Sequence, residues 1–169
     1  MQEGMGAEPI GQRTPDSLVG AAVASAVVAV DQLAKAVAPY LHSGLVAPAR
    51  NPDYAFGAVG GSALVLIGGT VLVLAVFLAV IGRLAGRVGI SPAFPALIAG
   101  GMLGNTLDRI HYGSVRDFLV VPGGIINLAD LAVAAGVISL VVALAVRIPR
   151  YTALAVREGP VGRSGGIRT

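Results

Sequence analysis

From Val71 to Ile81 the chain reads VLVLAVFLAVI, a run without one polar side chain. It lies inside an uncharged stretch, residues 62–82, that matches the about 20 residues a helix needs to span a hydrocarbon core of about 30 Å. Such a segment leaves the backbone little choice. With no water to take up its N–H and C=O groups, it must satisfy them internally as a helix. Three more apolar segments of similar length obey the same rule, at residues 17–38, 92–110 and 126–146. The segment at 92–110 is the least apolar, because it holds Pro95 and several Gly and ends on Asn105, Asp108 and Arg109. The chain is therefore read as an all-α membrane protein, a bundle of four transmembrane helices.

Composition points the same way. Of 169 residues, 55% are hydrophobic and only 12% charged, with a mean hydropathy of +0.81. A soluble domain carries about a quarter charged residues to cover its surface. The absence of Cys excludes disulfides, thiolate chemistry and Cys-based metal sites. A pI of about 9.8 would suit nucleic acid, but the arginines are scattered between apolar runs with no basic face interleaved with aromatics. Residues 1–16, polar and mixed in charge, read as a disordered cytoplasmic leader. Residues 17–146 form the bundle, and residues 147–169 a basic cytoplasmic tail that frays after Val146. A cleaved signal peptide is the alternative for the first segment, since Ala36-Val37-Ala38 mimics a cleavage site. Pro39 follows at once, the leader is more acidic than basic, and Asp31 and Lys35 interrupt the apolar run, so a retained helix is expected.

Orientation follows from the Lys and Arg of the connections. Arg13, Arg83, Arg87, Arg147, Arg150, Arg157, Arg163 and Arg168 fall on one side, against Arg50, Arg109 and Arg116 on the other. Both termini are expected in the cytoplasm. Gly100 and Gly104 make a small-xxx-small spacing that lets helix backbones approach closely.

Ionisable groups in membrane segments are costly and usually face a bundle interior or a wet cavity. Asp31 and Lys35, four apart, share one helix face and read as a structural ion pair. Asn105 and Asp108, three apart, point the same way from the end of the third helix, beside the planar fork of Arg109. Asn127 and Asp130, again three apart, open the fourth helix, and Asp117 is expected in the loop before it. Between them Pro122-Gly123-Gly124 is a turn sequence able to fold Asp117 back toward Asp130. Two carboxylates held within a few Å share one proton, so one can deprotonate a water while the other protonates an amide. His42 and His111 are the only histidines and neither sits in a nucleophile motif; a metal site is not indicated. Amide hydrolysis at a membrane surface is the sharpest chemistry these residues offer.

Taken in order, "DQLAK", "NPDYAFG", "GGMLGNTLDRIHYGSVRDF" and "INLAD" resemble lipoprotein signal peptidase, the type II signal peptidase of bacteria. The match runs from the first helix to the fourth. The resemblance implies a four-helix aspartyl protease of the bacterial inner membrane, which removes the signal peptide of a prolipoprotein just before a cysteine carrying diacylglycerol. It implies Asp117 and Asp130 as the catalytic pair. It implies Asn51, Asn105, Arg109 and Asn127 as substrate- and inhibitor-contacting positions, with Asp31, Lys35 and Asp108 supporting the site. It also implies a small extracytoplasmic β element from residues around 39–60 and sensitivity to globomycin-type cyclic peptides. The expected partners are diacylglyceryl prolipoproteins and membrane lipid, with no nucleic acid, no cofactor and no metal, and the chain is expected to be a monomer. The chain departs from the family in carrying Asp53 where Gly is usual, Ile126 where Phe commonly precedes Asn127, and a shorter turn between the two aspartates. Two other readings stand beside hydrolysis. One is a catalytically silent relative that binds lipoprotein precursors or lipid as a scaffold. The other is a small ion- or proton-conducting protein using Asp31, Lys35, Asp108 and Arg109.

Overall fold

A computed structural model describes residues 16–41, 43–52 and 63–157. Four helices carry the fold: α1 (Asp16–Val37), α2 (Ala63–Arg87), α3 (Ala93–Tyr112) and α4 (Leu128–Arg157). Three short strands, β1 (Val46–Asn51), β2 (Val115–Val121) and β3 (Gly124–Ile126), form one antiparallel sheet in the order β1-β2-β3. A single 3₁₀ turn over Ala38–Tyr40 follows α1, with Pro39 inside it.

Among the described residues, three helical stretches are long and apolar enough to cross a membrane, Asp16–Tyr40, Ile67–Arg87 and Leu128–Arg150. Their Leu, Val and Ile side chains stand largely uncovered, Leu72, Val73, Ile138 and Val141 among them. Such faces suit lipid and not water. The molecule is a membrane protein. Helix α3 differs, since it packs against α1, α2 and α4 and buries half its length among them. Its glycines make this possible. A Cβ at Gly100 would meet the Ala24 carbonyl and Val27 of α1, one at Gly104 would meet the Asp31 carboxylate, and one at Gly101 would strike the Ala129 carbonyl of α4. The Gly100 and Gly104 pair thus faces α1, as its spacing implies. A cluster of Ala85, Ile90, Ile98 and Leu140 closes the opposite end of the bundle, where α2 turns into α3 through Gly89.

Several elements differ from the sequence expectation. Asp117 lies on a strand and not in a loop: VRDFLVV is rich in β-branched and aromatic residues, and Gly123, at φ 97°, turns the chain into β3. The sheet therefore draws two of its three strands from residues 115–126, and only β1 from the stretch after α1. Helix α4 does not fray after Val146 but runs to Arg157, through Pro149. Arg, Ala and Leu, strong helix formers, supply much of that extension. Helix α2 likewise ends at Arg87, past the apolar limit at Gly82. The leader before Asp16, residues 53–62 with Asp53, His42 and the tail beyond Arg157 lie outside the described residues.

Candidate active site

Helix α4 opens on a reciprocal cap. The Asn127 side-chain oxygen accepts the Asp130 N–H at 2.9 Å, and Asp130 Oδ2 accepts the Asn127 N–H at 3.1 Å. This is the capping-box arrangement, with Asn and Asp in the roles of Ser and Glu. It fixes both side chains on the first turn. Because the Asn127 oxygen is committed to the cap, its Nδ2 faces outward, and it donates to Asp117 Oδ1 at 2.6 Å. Asn127 thus binds both carboxylates, Asp117 through its side chain and Asp130 through its backbone. The β2–β3 hairpin brings Asp117 back over the end of α4, as the turn sequence implies.

Each carboxylate has a second amide. Asn51 at the end of β1 donates from Nδ2 to Asp117 Oδ2 at 3.2 Å, and Asn105 of α3 donates from Nδ2 to Asp130 Oδ1 at 2.8 Å. Asp117 is buried, at 4% exposure, and Asp130 is half-buried. Burial pushes the Asp117 carboxyl above the ordinary Asp range. The amides of Asn127 and Asn51 pull against that shift, and the charge of Asp130 adds to it. A cavity of about 210 Å³ opens beside Asp117, lined also by Lys35, Pro48, Arg50, Arg116 and Phe118.

Beneath the two carboxylates lies a buried charge cluster. Lys35 Nζ sits 2.8 Å from Asp31, 3.1 Å from Asp108 and 2.9 Å from the Asn105 oxygen. Asp31 Oδ1 also accepts the Ala129 N–H of α4 at 2.9 Å, which ties α1 to the start of α4. Asp108 accepts the backbone N–H of Arg116 at 2.9 Å and its guanidinium at 2.8 Å, so the strand that carries Asp117 is anchored to α3. The pairing of Asp31 with Lys35 matches the sequence reading, extended by Asp108. Arg109 is buried at the same end and reaches the Asn105 carbonyl at 3.4 Å.

All nine residues singled out from the sequence gather at this end of the bundle. Gln32 and Arg116 were not singled out. Gln32 Nε2 donates to the Gly104 carbonyl and to Asp108, its Oε1 accepts from Arg116 at 2.7 Å, and the Arg116 guanidinium stacks 4.4 Å from the Tyr112 ring centre. Gln32 adjoins Asp31 in "DQLAK", but its face is legible only once α3 is placed beside α1. Among the described residues no three His, Asp or Glu side chains gather as metal ligands would.

Comparison with known proteins identifies the family. The sequence model of the family described as signal peptidase (SPase) II matches residues 23–146. The chain is 35% identical over 131 residues to the lipoprotein signal peptidase of Moorella thermoacetica, covering 68% of this chain and 84% of that protein. It is 38% identical over 103 residues to the lipoprotein signal peptidase of Pelotomaculum thermopropionicum, covering 56% of this chain and 62% of the relative. A solved structure described as a bacterial membrane enzyme superposes with a TM-score of 0.62 at 25% identity, over 75% of this chain and 92% of the other. The chain belongs to the signal peptidase II family of membrane proteases.

Proposed function

We propose that this protein is an aspartic endopeptidase that removes the signal peptide from diacylglyceryl-modified prolipoproteins, with Asp117 and Asp130 as its catalytic pair. One observation carries the reading: Asn127 hydrogen-bonds both carboxylates at the rim of the bundle, where a hairpin and a helix start converge. The kinship with lipoprotein signal peptidases supplies the substrate class.

The mechanism follows from the two environments. Asp117, with its raised affinity for protons, holds the shared proton, and Asp130, on the first turn of α4, serves as the base. Asp130 takes a proton from water as the oxygen attacks the scissile carbonyl carbon, and Asp117 donates its proton to the carbonyl oxygen. The tetrahedral intermediate then collapses. The proton held by Asp130 passes to the amide nitrogen, the C–N bond breaks, and one hydroxyl proton returns to Asp117. Asn51, Asn105, Arg109 and Asn127 line the substrate's path, and Asp31, Lys35 and Asp108 hold it in shape. No cofactor or metal enters these steps.

Helix α3 completes four spans in this reading. Its Pro, Gly and polar residues exclude it from the strongly apolar class, but its place among α1, α2 and α4 supports a crossing sheathed by protein. The Arg bias supports both termini in the cytoplasm, with the sheet and the carboxylates at the outer surface, and the kinship with bacterial lipoprotein signal peptidases supports an inner-membrane location. The enzyme acts as a monomer on single precursors, with lipid around it. The ion-path alternative is not favoured, because the buried charges collect at one end of the helices and neutralise one another there.

A cleavage assay tests the function. Purified protein in detergent, given a prolipoprotein carrying diacylglycerol on its cysteine, is expected to release a fragment of signal-peptide mass. No cleavage would leave the scaffold reading in its place.

A further inference from the structure

Lys35 is buried, does not touch either carboxylate of the pair, and has no step in the mechanism above. An ammonium has three N–H donors and no acceptor. Here each has a partner: Asp31 Oδ2 at 2.8 Å, Asp108 Oδ2 at 3.1 Å and Asn105 Oδ1 at 2.9 Å. The first two neutralise the charge. The third contact does something else. Because Lys35 can only donate, it meets the oxygen of the Asn105 amide and turns the NH2 group to the other side, where Nδ2 donates to Asp130 Oδ1 at 2.8 Å. The reverse orientation would set NH2 against NH3⁺ and oxygen against carboxylate, two repulsive contacts in a buried site.

We infer that Lys35 is a positioning residue: through Asn105 it presents a donor to Asp130 and so fixes the plane of a carboxylate it never contacts. With Oδ1 held by Asn105 and Oδ2 by the Asn127 N–H, Asp130 has no freedom to rotate away from Asp117. Arg116 makes this arrangement possible. By pairing with Asp108 it balances the second carboxylate, so Lys35 is not drawn wholly to Asp108 and stays within reach of Asn105. The charged groups around Lys35 are Asp31 on α1, Asp108 on α3, and Arg116 and Asp117 on β2. This inference rests on the proposed peptidase activity.

The test is a double-mutant cycle on prolipoprotein cleavage. Lys35→Met alone would leave Asp31 and Asp108 facing one cation, so the working variant is Asp31→Asn/Lys35→Met. It removes one charge of each sign and keeps an oxygen for the Ala129 N–H. Thermal melting in detergent establishes that it is folded. Its kcat is expected to fall roughly 10- to 100-fold at unchanged KM, the scale of losing a group that orients a reacting one. Asn105→Ala is expected to lose a similar factor, and adding Asp31→Asn/Lys35→Met to it to change kcat by no more than about twofold. Independent, multiplying losses, or a folded charge-balanced variant with wild-type kcat, would overturn the role assigned to Lys35. A wild-type protein that does not cleave would instead remove the activity on which the inference stands.

Discussion

At the scale of single residues, the site is a matter of which amide faces which oxygen. Asn127 and Asn105 are both held by their oxygens, one by the Asp130 N–H and one by Lys35, so both present NH2 groups to carboxylates. Asp117, the more buried of the two, carries a measurable signature. Its pKa in the fold lies above that of the unfolded chain, so the native state binds the proton more tightly. The associated stability is fully present below the ordinary Asp range and is lost as pH rises through the folded value of Asp117. In Asp117→Asn that contribution is missing. Melting temperatures in detergent are expected to fall less steeply over this window in the variant than in the wild type. Parallel curves would mean that burial of this carboxylate has been misjudged.

At the scale of elements, α3 is the piece on which the others depend. Where it meets the start of α4 it carries glycine, and a methyl group at Gly101 would run into the Ala129 carbonyl, next to the cap that holds Asp130. Gly101→Ala is therefore expected to cost about 1–3 kcal/mol in stability, as overpacking does, and to lower kcat by shifting the start of α4. A variant with wild-type melting temperature and turnover would contradict that close contact. The helices and the charged clusters were legible because hydropathy and i, i+3 or i, i+4 spacing act within one element. Lys35 on the same face as Asp31 is such a case. Arg116 was not legible, since its role needs Asp117 to sit on a strand with alternating faces, and VRDFLVV between two helices reads as a connection. Nor was the Asn51 contact with Asp117, which depends on β1 pairing with β2 and joins residues 66 apart in the sequence. The extension of α4 past Val146 was not legible, because hydropathy ends where the sequence turns polar and basic, whereas the helix itself runs on through Pro149 to Arg157.

At the scale of the whole molecule, three helices show lipid-suited faces and the fourth is wrapped by them. The natural absence of Cys makes the arrangement directly testable by single introduced cysteines. Ser91→Cys, before α3, is expected to react only with a reagent reaching the cytoplasmic side, and His111→Cys, at its far end, only from outside. Labelling of both from one side would show that α3 does not cross. The central claim is that two carboxylates bridged by Asn127 cleave a peptide bond between them. The most direct test is the turnover of diacylglyceryl prolipoprotein by folded Asp117→Asn and Asp130→Asn proteins. Each is expected to lose at least ~10²-fold in kcat, the scale of general acid–base catalysis, while precursor binding remains. Wild-type turnover by either variant would contradict the account.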